Sequence, residues 1–226
     1  MGYDRTLASV ETYFDKTATR TWERLTSDVP VSKIRQTVRK GRDQMRAAMI
    51  YRLPNDLRGA RILDAGCGAG QMTAELAERG AHVVAADISP ALLSIAKNRL
   101  PQEHLPNVTF HHGDMLADNL GRFDYVMAMD SLIYYDRADI AKALAGLAAR
   151  TDNSIVFTVA PKTAMLSLMW RAGKLFPRSD RSPTMVPHDP ASLSLTYAET
   201  GAPGAIYTLD RITSGFYISQ AMEVRK

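Results

Sequence analysis

Arg61-Ile62-Leu63-Asp64-Ala65-Gly66-Cys67-Gly68-Ala69-Gly70 joins a short apolar run to three glycines spaced two apart. The first five residues suit a buried strand. The glycines allow a tight turn and a close approach of a ligand to the backbone. Gln71–Arg79 carries helical periodicity and stops at Gly80. A strand, a glycine turn and a helix therefore follow one another, with free N–H groups expected where the helix begins.

Downstream the same rhythm continues. Ala81–Asp87 reads as a buried strand, and Ser89-Pro90 opens a helix that runs to about Leu100, with proline in its first turn. Val108–His111 and Asp124–Met129 read as strands, Ala138–Ala149 as a helix and Ser154–Ala160 as a β-branched strand. Strands alternating with helices of about ten residues predict a parallel sheet covered on both faces. Residues 161–190 break the rhythm and predict an inserted lid. Ala205–Ile212 and Gly215–Val224 predict an antiparallel hairpin at the sheet edge. The expected fold is α/β and Rossmann-like, with a mostly parallel seven-stranded sheet.

Upstream, residues 1–60 read as a helical arm. Leu7, Val10, Phe14, Ala18, Trp22 and Leu25 recur at spacings of three and four, and Ile34, Val38, Met45 and Met49 keep one face of Lys33–Tyr51 apolar. The expected division is this arm, as a cover for the acceptor, and a ligand-binding domain over 61–226.

The chain has 226 residues, 46% hydrophobic and 23% charged, which excludes a disordered or collagen-like chain. No apolar run predicts a transmembrane helix, and no basic segment leading into an apolar stretch predicts a secretory signal. Cys67 is the single cysteine, which excludes a disulfide framework and suits a reducing, cytoplasmic setting. Residues 1–60 hold 12 basic and 7 acidic side chains, against 16 and 17 over 61–226. The basic excess of the first quarter suits an anionic partner or a solvated helical face. Too few exposed aromatics interleave it to favour nucleic acid. The five histidines show no i,i+4 pairing, so no protein-bound metal is expected.

The glycine pattern narrows the ligand. A dinucleotide fingerprint starting at Gly66 needs a glycine at position 71, where this chain has Gln71. Asp64 just before the first glycine would repel a pyrophosphate but suits an ammonium group. Asp87 ends the second strand where an acid grips ribose hydroxyls. D-x-G-x-G-x-G followed by a strand-end acid resembles the class I S-adenosylmethionine-dependent methyltransferases; a nicotinamide enzyme and a structural turn are the alternatives. Gly113-Asp114-Met115 and Phe123-Asp124-Tyr125-Val126 extend the likeness. It implies that Asp64 and the Gly66–Gly70 backbone, Cys67 and Gly68 included, hold the methionyl part. Asp87 would bind the ribose and Ile88 flank the adenine. Asp114 and Met115 would complete the adenine pocket, and Met129 and Asp130 back the methionine. Cys67 itself reads as a small packed residue rather than a nucleophile.

The acceptor is approached first by exclusion. The segment after the fourth strand, Asp130-Ser131-Leu132-Ile133-Tyr134-Tyr135, lacks the prolines of amino-group methylases. Tyr13-Phe14-Asp15-Lys16-Thr17 with Arg20-Thr21-Trp22, the same Asp130–Tyr135 block, Ala160-Pro161-Lys162-Thr163, Gly173-Lys174-Leu175-Phe176-Pro177, and Gly215-Phe216-Tyr217 with Ser219 resemble the magnesium-protoporphyrin IX methyltransferase family. That resemblance implies methylation of one propionate of magnesium protoporphyrin IX, with S-adenosylmethionine as donor and the magnesium belonging to the substrate. An O- or C-methyltransferase of another apolar molecule, such as a quinone precursor, is the runner-up.

Further expectations follow from that acceptor. A propionate is already ionised at neutral pH, so no base is needed. Tyr13 and Tyr134 would orient the reacting group. Lys33, Arg35, Arg39, Arg42, Arg46, Lys162 and Arg178 are candidates to hold the other propionate, and Met169 to line a wall of the slot. Plant and cyanobacterial members resemble LIHY where this chain has Leu132-Ile133-Tyr134-Tyr135, and tend to carry a tyrosine near Thr26. A handover complex with magnesium chelatase and peripheral contact with photosynthetic membranes are the implied partnerships.

Overall fold

The computed structural model describes residues 2–14, 26, 32–162 and 185–226. The elements run α1 (Tyr3–Tyr13), α2 (Lys33–Ile50), β1 (Arg61–Ala65), α3 (Gln71–Glu78), β2 (His82–Asp87), α4 (Pro90–Arg99), β3 (Val108–His112), β4 (Phe123–Ala128), α5 (Arg137–Ala149), β5 (Thr151–Pro161), β6 (Pro187–His188), α6 (Pro190–Ala198), β7 (Ala205–Ser214) and β8 (Tyr217–Arg225). Short 3-10 turns at Gln102–Asn107 and Asp118–Leu120 precede β3 and β4.

The sheet order is β3-β2-β1-β4-β5-β8-β7, with β1 to β5 parallel, and β8 antiparallel to both β5 and β7. The expected seven strands form this path. The two-residue β6 is an eighth, pairing with the end of β5 at Ala160 and Pro161. The chain leaves β1 toward β2 on one side and returns to β4 on the other. The C-terminal ends of β1 and β4 therefore border a crevice, where doubly wound sheets bind ligands.

Alternate side chains on each central strand enter opposite layers, which is why these strands are apolar throughout. Leu63, Val126, Ile155 and Phe157 pack on one face with Ile140, Leu144 and Leu147 of α5. Ile62, Met127 and Val156 pack on the other with Met45 and Met49 of α2 and Met72 and Leu76 of α3. The basic α2 thus turns its methionines into the sheet's own core. It lies against β7 and β8, where Ser214 Oγ donates to the Thr37 carbonyl at 2.8 Å.

The sequence reading placed nothing between the lid and the hairpin, but α6 stands there. Asp189 caps it, accepting from Ser192 N at 2.9 Å, and Pro190 opens its first turn. The inserted segment therefore gives way to regular structure earlier than expected, at β6. Its two ends are tied down: Lys162 N donates to His188 O at 2.8 Å and Val186 N to Ile133 O at 2.8 Å. The expected apolar helix at 164–175 lies outside the described residues, as do Asp15, Lys16, Thr17, Trp22, Met169, Arg178 and the 173–177 block.

Candidate functional site

A cleft lies over the ends of β1 and β4, holding about 1000 Å3 of space free of protein atoms, open solvent included. Its floor is the turn after β1. Gly66 and Cys67 N–H both donate to Ala86 O, at 2.9 and 3.0 Å, and Gly70 N to Cys67 O at 3.0 Å. Gly68 N donates to Asp87 Oδ2 at 2.7 Å, while Asp87 Oδ1 accepts from Ser89 N at 2.9 Å. The strand-end acid therefore fixes the shape of the glycine turn as well as facing the cleft. With four of its N–H groups committed inside the protein, the turn offers a ligand room rather than donors. At Gly68, φ is +54°, and a Cβ added there would have nothing within 4 Å. Any side chain there would stand in the space left for a ligand.

Asp64 sits beneath this turn, 2% exposed, and its Oδ2 accepts from Thr73 Oγ1 at 2.5 Å. Burial pushes its carboxyl up to about 7, and the nearby Asp87 charge adds to that, against the Thr73 hydrogen bonds. Cys67 is buried, and burial first, then the charges of Asp87 and Asp64, push its thiol well up. The thiol therefore stays neutral.

Helix α1 closes one wall, contributing Leu7 and Val10, with Phe14 just past its end. Tyr3 anchors it: the hydroxyl donates to Asp114 Oδ1 at 2.7 Å and the ring stacks on Tyr135 at 4.8 Å. Burial, then the charge of Tyr135, then the Asp114 bond hold the Tyr3 phenol far above its ordinary range. Asp114 Oδ1 also accepts from Leu116 N at 2.8 Å.

The far wall follows β4. Asp130 turns the chain at φ +56°, a conformation that costs most non-glycine residues strain. Four contacts hold it. Asp130 N donates to Thr158 Oγ1 at 2.8 Å, Thr158 Oγ1 donates back to Oδ1 at 3.2 Å, and Arg42 Nη1 lies 2.5 Å from Oδ2. Tyr217 OH donates to Oδ1 at 3.2 Å. Arg46, also lining the cleft, pairs with Glu75 and, at 3.0 Å, with Asp43. Tyr134 lines the cleft, 6.3 Å ring to ring from Phe14, which in turn meets Tyr13 edge-on at 5.2 Å. Burial and the Asp130 charge raise the Tyr134 phenol. It is a hydrogen-bond donor at neutral pH and not a base.

Of the residues expected to hold the donor, Asp64, Gly66, Cys67, Gly68, Asp87, Ile88, Met115, Met129 and Asp130 line the cleft. Gly70 and Asp114 do not; Gly70 opens α3 and Asp114 is tied to Tyr3. Of those expected at the acceptor, Tyr134, Arg42 and Arg46 line it, while Tyr13 does not and meets Phe14 edge-on. Arg35 and Lys162 are exposed and Arg39 is half-buried, all three off the cleft. Sequence reasoning missed Ser131, Thr73, Tyr3 and Tyr217. Ser131 and Tyr217 fall inside quoted blocks, but a hydroxyl's partner is invisible in a linear string. Among the described residues, no group of three or more His, Cys, Asp and Glu is placed to hold a metal ion.

Residues 62–153 match a family described as a methyltransferase domain, and 128–226 one described as the magnesium-protoporphyrin IX methyltransferase C-terminus. The chain is 58% identical to the magnesium-protoporphyrin O-methyltransferase of Rhodobacter capsulatus, over 96% of this chain and 95% of that one. The chain belongs to the magnesium-protoporphyrin O-methyltransferase family. A relative of the same name from Synechocystis is 30% identical over 97% of this chain and 95% of its own length. The crystal structure of magnesium protoporphyrin IX methyltransferase from Synechocystis PCC 6803 with bound SAH superposes with a TM-score of 0.79, covering 97% of this chain and 99% of that one at 30% identity. This family membership fits the class I methyltransferase topology described above.

Proposed function

We propose that this protein transfers a methyl group from S-adenosylmethionine to one propionate carboxylate of magnesium protoporphyrin IX, giving the monomethyl ester in (bacterio)chlorophyll synthesis. The observation that carries the reading is the cleft itself: a glycine turn with open space at Gly68, an acid at each adjoining strand end, and an apolar wall from α1. The donor fits these residues. Asp64 would face its ammonium group and Asp87 its ribose, with Ile88 and Met115 against the adenine.

When bound, the donor supplies a methyl carried on a sulfonium; the carboxylate oxygen forms the new C–O bond as the C–S bond breaks and the sulfur keeps its electron pair. The protein's task is placement and dryness. The reacting charges have opposite sign and vanish in the transfer, so an apolar surround raises the charged reactants relative to the transition state. Leu7, Val10, Phe14, Met72 and Leu92 supply that surround. Among the described residues, no histidine lines the cleft. A carboxylate nucleophile does not require one. Tyr134, kept protonated, would orient the acceptor by donating a hydrogen bond, with Tyr13 supporting it through Phe14.

The direct test mixes purified protein, S-adenosylmethionine and magnesium protoporphyrin IX, with metal-free protoporphyrin alongside, and follows products by chromatography and mass spectrometry. A monomethyl ester from the magnesium form is expected. Retained donor binding without ester would remove the acceptor assignment and leave the cofactor assignment standing.

Asp64 adds a pH signature. Its carboxyl, at about 7 in the free protein, must ionise to face an ammonium group, so binding releases a proton. Affinity for S-adenosylhomocysteine should then rise with pH and level off above that value. Between pH 6 and pH 8 the gain should be about tenfold, the change in ionised fraction across such a pKa. Calorimetry in buffers of different ionisation heat reads both effects, and a flat profile rejects Asp64 as the ammonium partner.

The reading extends to handover from magnesium chelatase and to peripheral contact with a photosynthetic membrane. The exposed cations Lys33, Arg35 and Lys40 on α2 support an anionic surface as neighbour. No helix among the described residues is long and apolar enough to cross a membrane.

A further inference from the structure

Ser131 follows Asp130, which turns the chain at φ +56° just after β4, and lies against the first glycine of the turn. A Cβ added to Gly66 would come within 2.5 Å of Ser131 Cβ and 3.3 Å of its Oγ. The serine therefore bridges the cradle to the wall that carries Tyr134 and Tyr135. Its hydroxyl oxygen is buried and has no hydrogen-bond partner among the described residues. A buried hydroxyl left unpaired is costly, and in a ligand cleft a bound group can supply the missing partner.

The surroundings indicate which ligand group. Among the described residues, Arg42 and Arg46 are the guanidinium groups lining the cleft, and they are paired with Asp130 and with Glu75 and Asp43. The N–H groups of Gly66, Cys67, Gly68 and Gly70 are used within the protein. The Asp130 carboxylate is taken up by Arg42, Tyr217 and Thr158, so it too is engaged within the protein. Among the described residues, an anionic ligand group is left to neutral donors such as Tyr134 and Gln71, and the Ser131 hydroxyl, without a partner of its own, can donate as well. A neutral donor also has a chemical advantage over a guanidinium. It orients a nucleophilic carboxylate without neutralising the charge that makes it react.

We propose that Ser131 Oγ donates a hydrogen bond to a ligand carboxylate in this cleft. Two carboxylates fit that chemistry: the acceptor's reacting propionate and the methionyl carboxylate of the donor. The inference rests on the proposed methyl transfer, and Asp130 serves it by holding Ser131 over Gly66.

The experiment compares Ser131→Ala with the natural protein in three measurements. These are S-adenosylhomocysteine affinity by calorimetry, kcat and KM for magnesium protoporphyrin IX with saturating S-adenosylmethionine, and the melting temperature of the ligand-free protein. If the propionate is the partner, kcat/KM falls about tenfold to a hundredfold, the worth of one hydrogen bond to a charged group, with affinity unchanged. If the donor carboxylate is the partner, affinity falls by that factor. In both cases the ligand-free melting temperature holds or rises, because the variant removes an unpaired buried group; a merely structural serine would lower it. Kinetics and affinity both within twofold of the natural protein overturn the proposal, as does a loss of function that tracks a lower melting temperature. Ser131→Cys, similar in size but a weak donor, repeats the comparison if the alanine variant folds poorly, and the same outcomes apply. Ester formation by the natural protein is the control for the underlying reading. Should it fail, that reading fails separately, and an unchanged affinity then overturns the role of Ser131.

Discussion

Gly66→Ala should remove donor binding while leaving a folded but weakened protein. Two costs act together. The backbone at Gly66 has φ +79°, where an L side chain loses about 1–2 kcal/mol. The new methyl would also sit 2.5 Å from Ser131 Cβ, a separation that atoms do not tolerate. Either the turn or the end of β4 must shift. With the overlap included, the loss should be roughly 3 kcal/mol, which in a domain of this size lowers the melting temperature by about 6–12 °C. Binding should suffer more, because both surfaces that move bound the cleft. A misplacement of about 1 Å can cost roughly a hundredfold, so S-adenosylhomocysteine affinity should fall at least that far. Calorimetry and thermal melting on the same preparation separate the two effects. Near-natural affinity would mean that the turn does not shape the donor site.

What the sequence made legible was local. The strand, the glycine turn and α3 are contiguous, so hydrophobic run, glycine spacing and helix periodicity located them without any partner. Ser89-Pro90 marked α4 for the same reason: a hydroxyl cap accepting from Leu92 N, then proline at the first helical position. Asp189-Pro190 carries an equivalent signal for α6. The prolines and charges around it resemble a loop and mask that signal.

The site was less legible wherever two distant segments meet. Arg42 and Asp130 are 88 positions apart, Tyr3 and Asp114 111. No local pattern says that a basic helix will spend one of its arginines on an internal acid. The expected role of Arg42 at the second propionate followed from its charge, whereas the structure shows that charge engaged. Asp114 was placed at the adenine from its position after β3, and its carboxylate is bonded to Tyr3. The cofactor cradle was thus readable from one stretch of chain. The walls of the cleft are assembled from α1, α2, β4 and β8 and needed the fold.

Arg42→Met should therefore behave as a broken internal ion pair and not as a lost substrate contact. The Arg42 and Asp130 side chains are 16% and 8% exposed, so solvent cannot take over the abandoned charge. Removing one partner of such a pair costs about 3–5 kcal/mol. Tyr217 still donates to Asp130, which places the expected loss near the lower bound. Asp130→Asn alone keeps a side chain that tolerates positive φ but removes the charge that pairs with Arg42. The double variant leaves neither charge unpaired and should be more stable than the sum of the single losses predicts, by roughly 1–3 kcal/mol. Kinetics then discriminate between the two roles. A positioning arginine acts through Asp130 on Ser131 and Tyr134, so kcat should fall, KM for the porphyrin should change little, and the double variant should regain part of the rate. An arginine that grips the second propionate gives the opposite pattern: KM rises, stability is nearly unchanged, and the added Asp130→Asn brings no recovery.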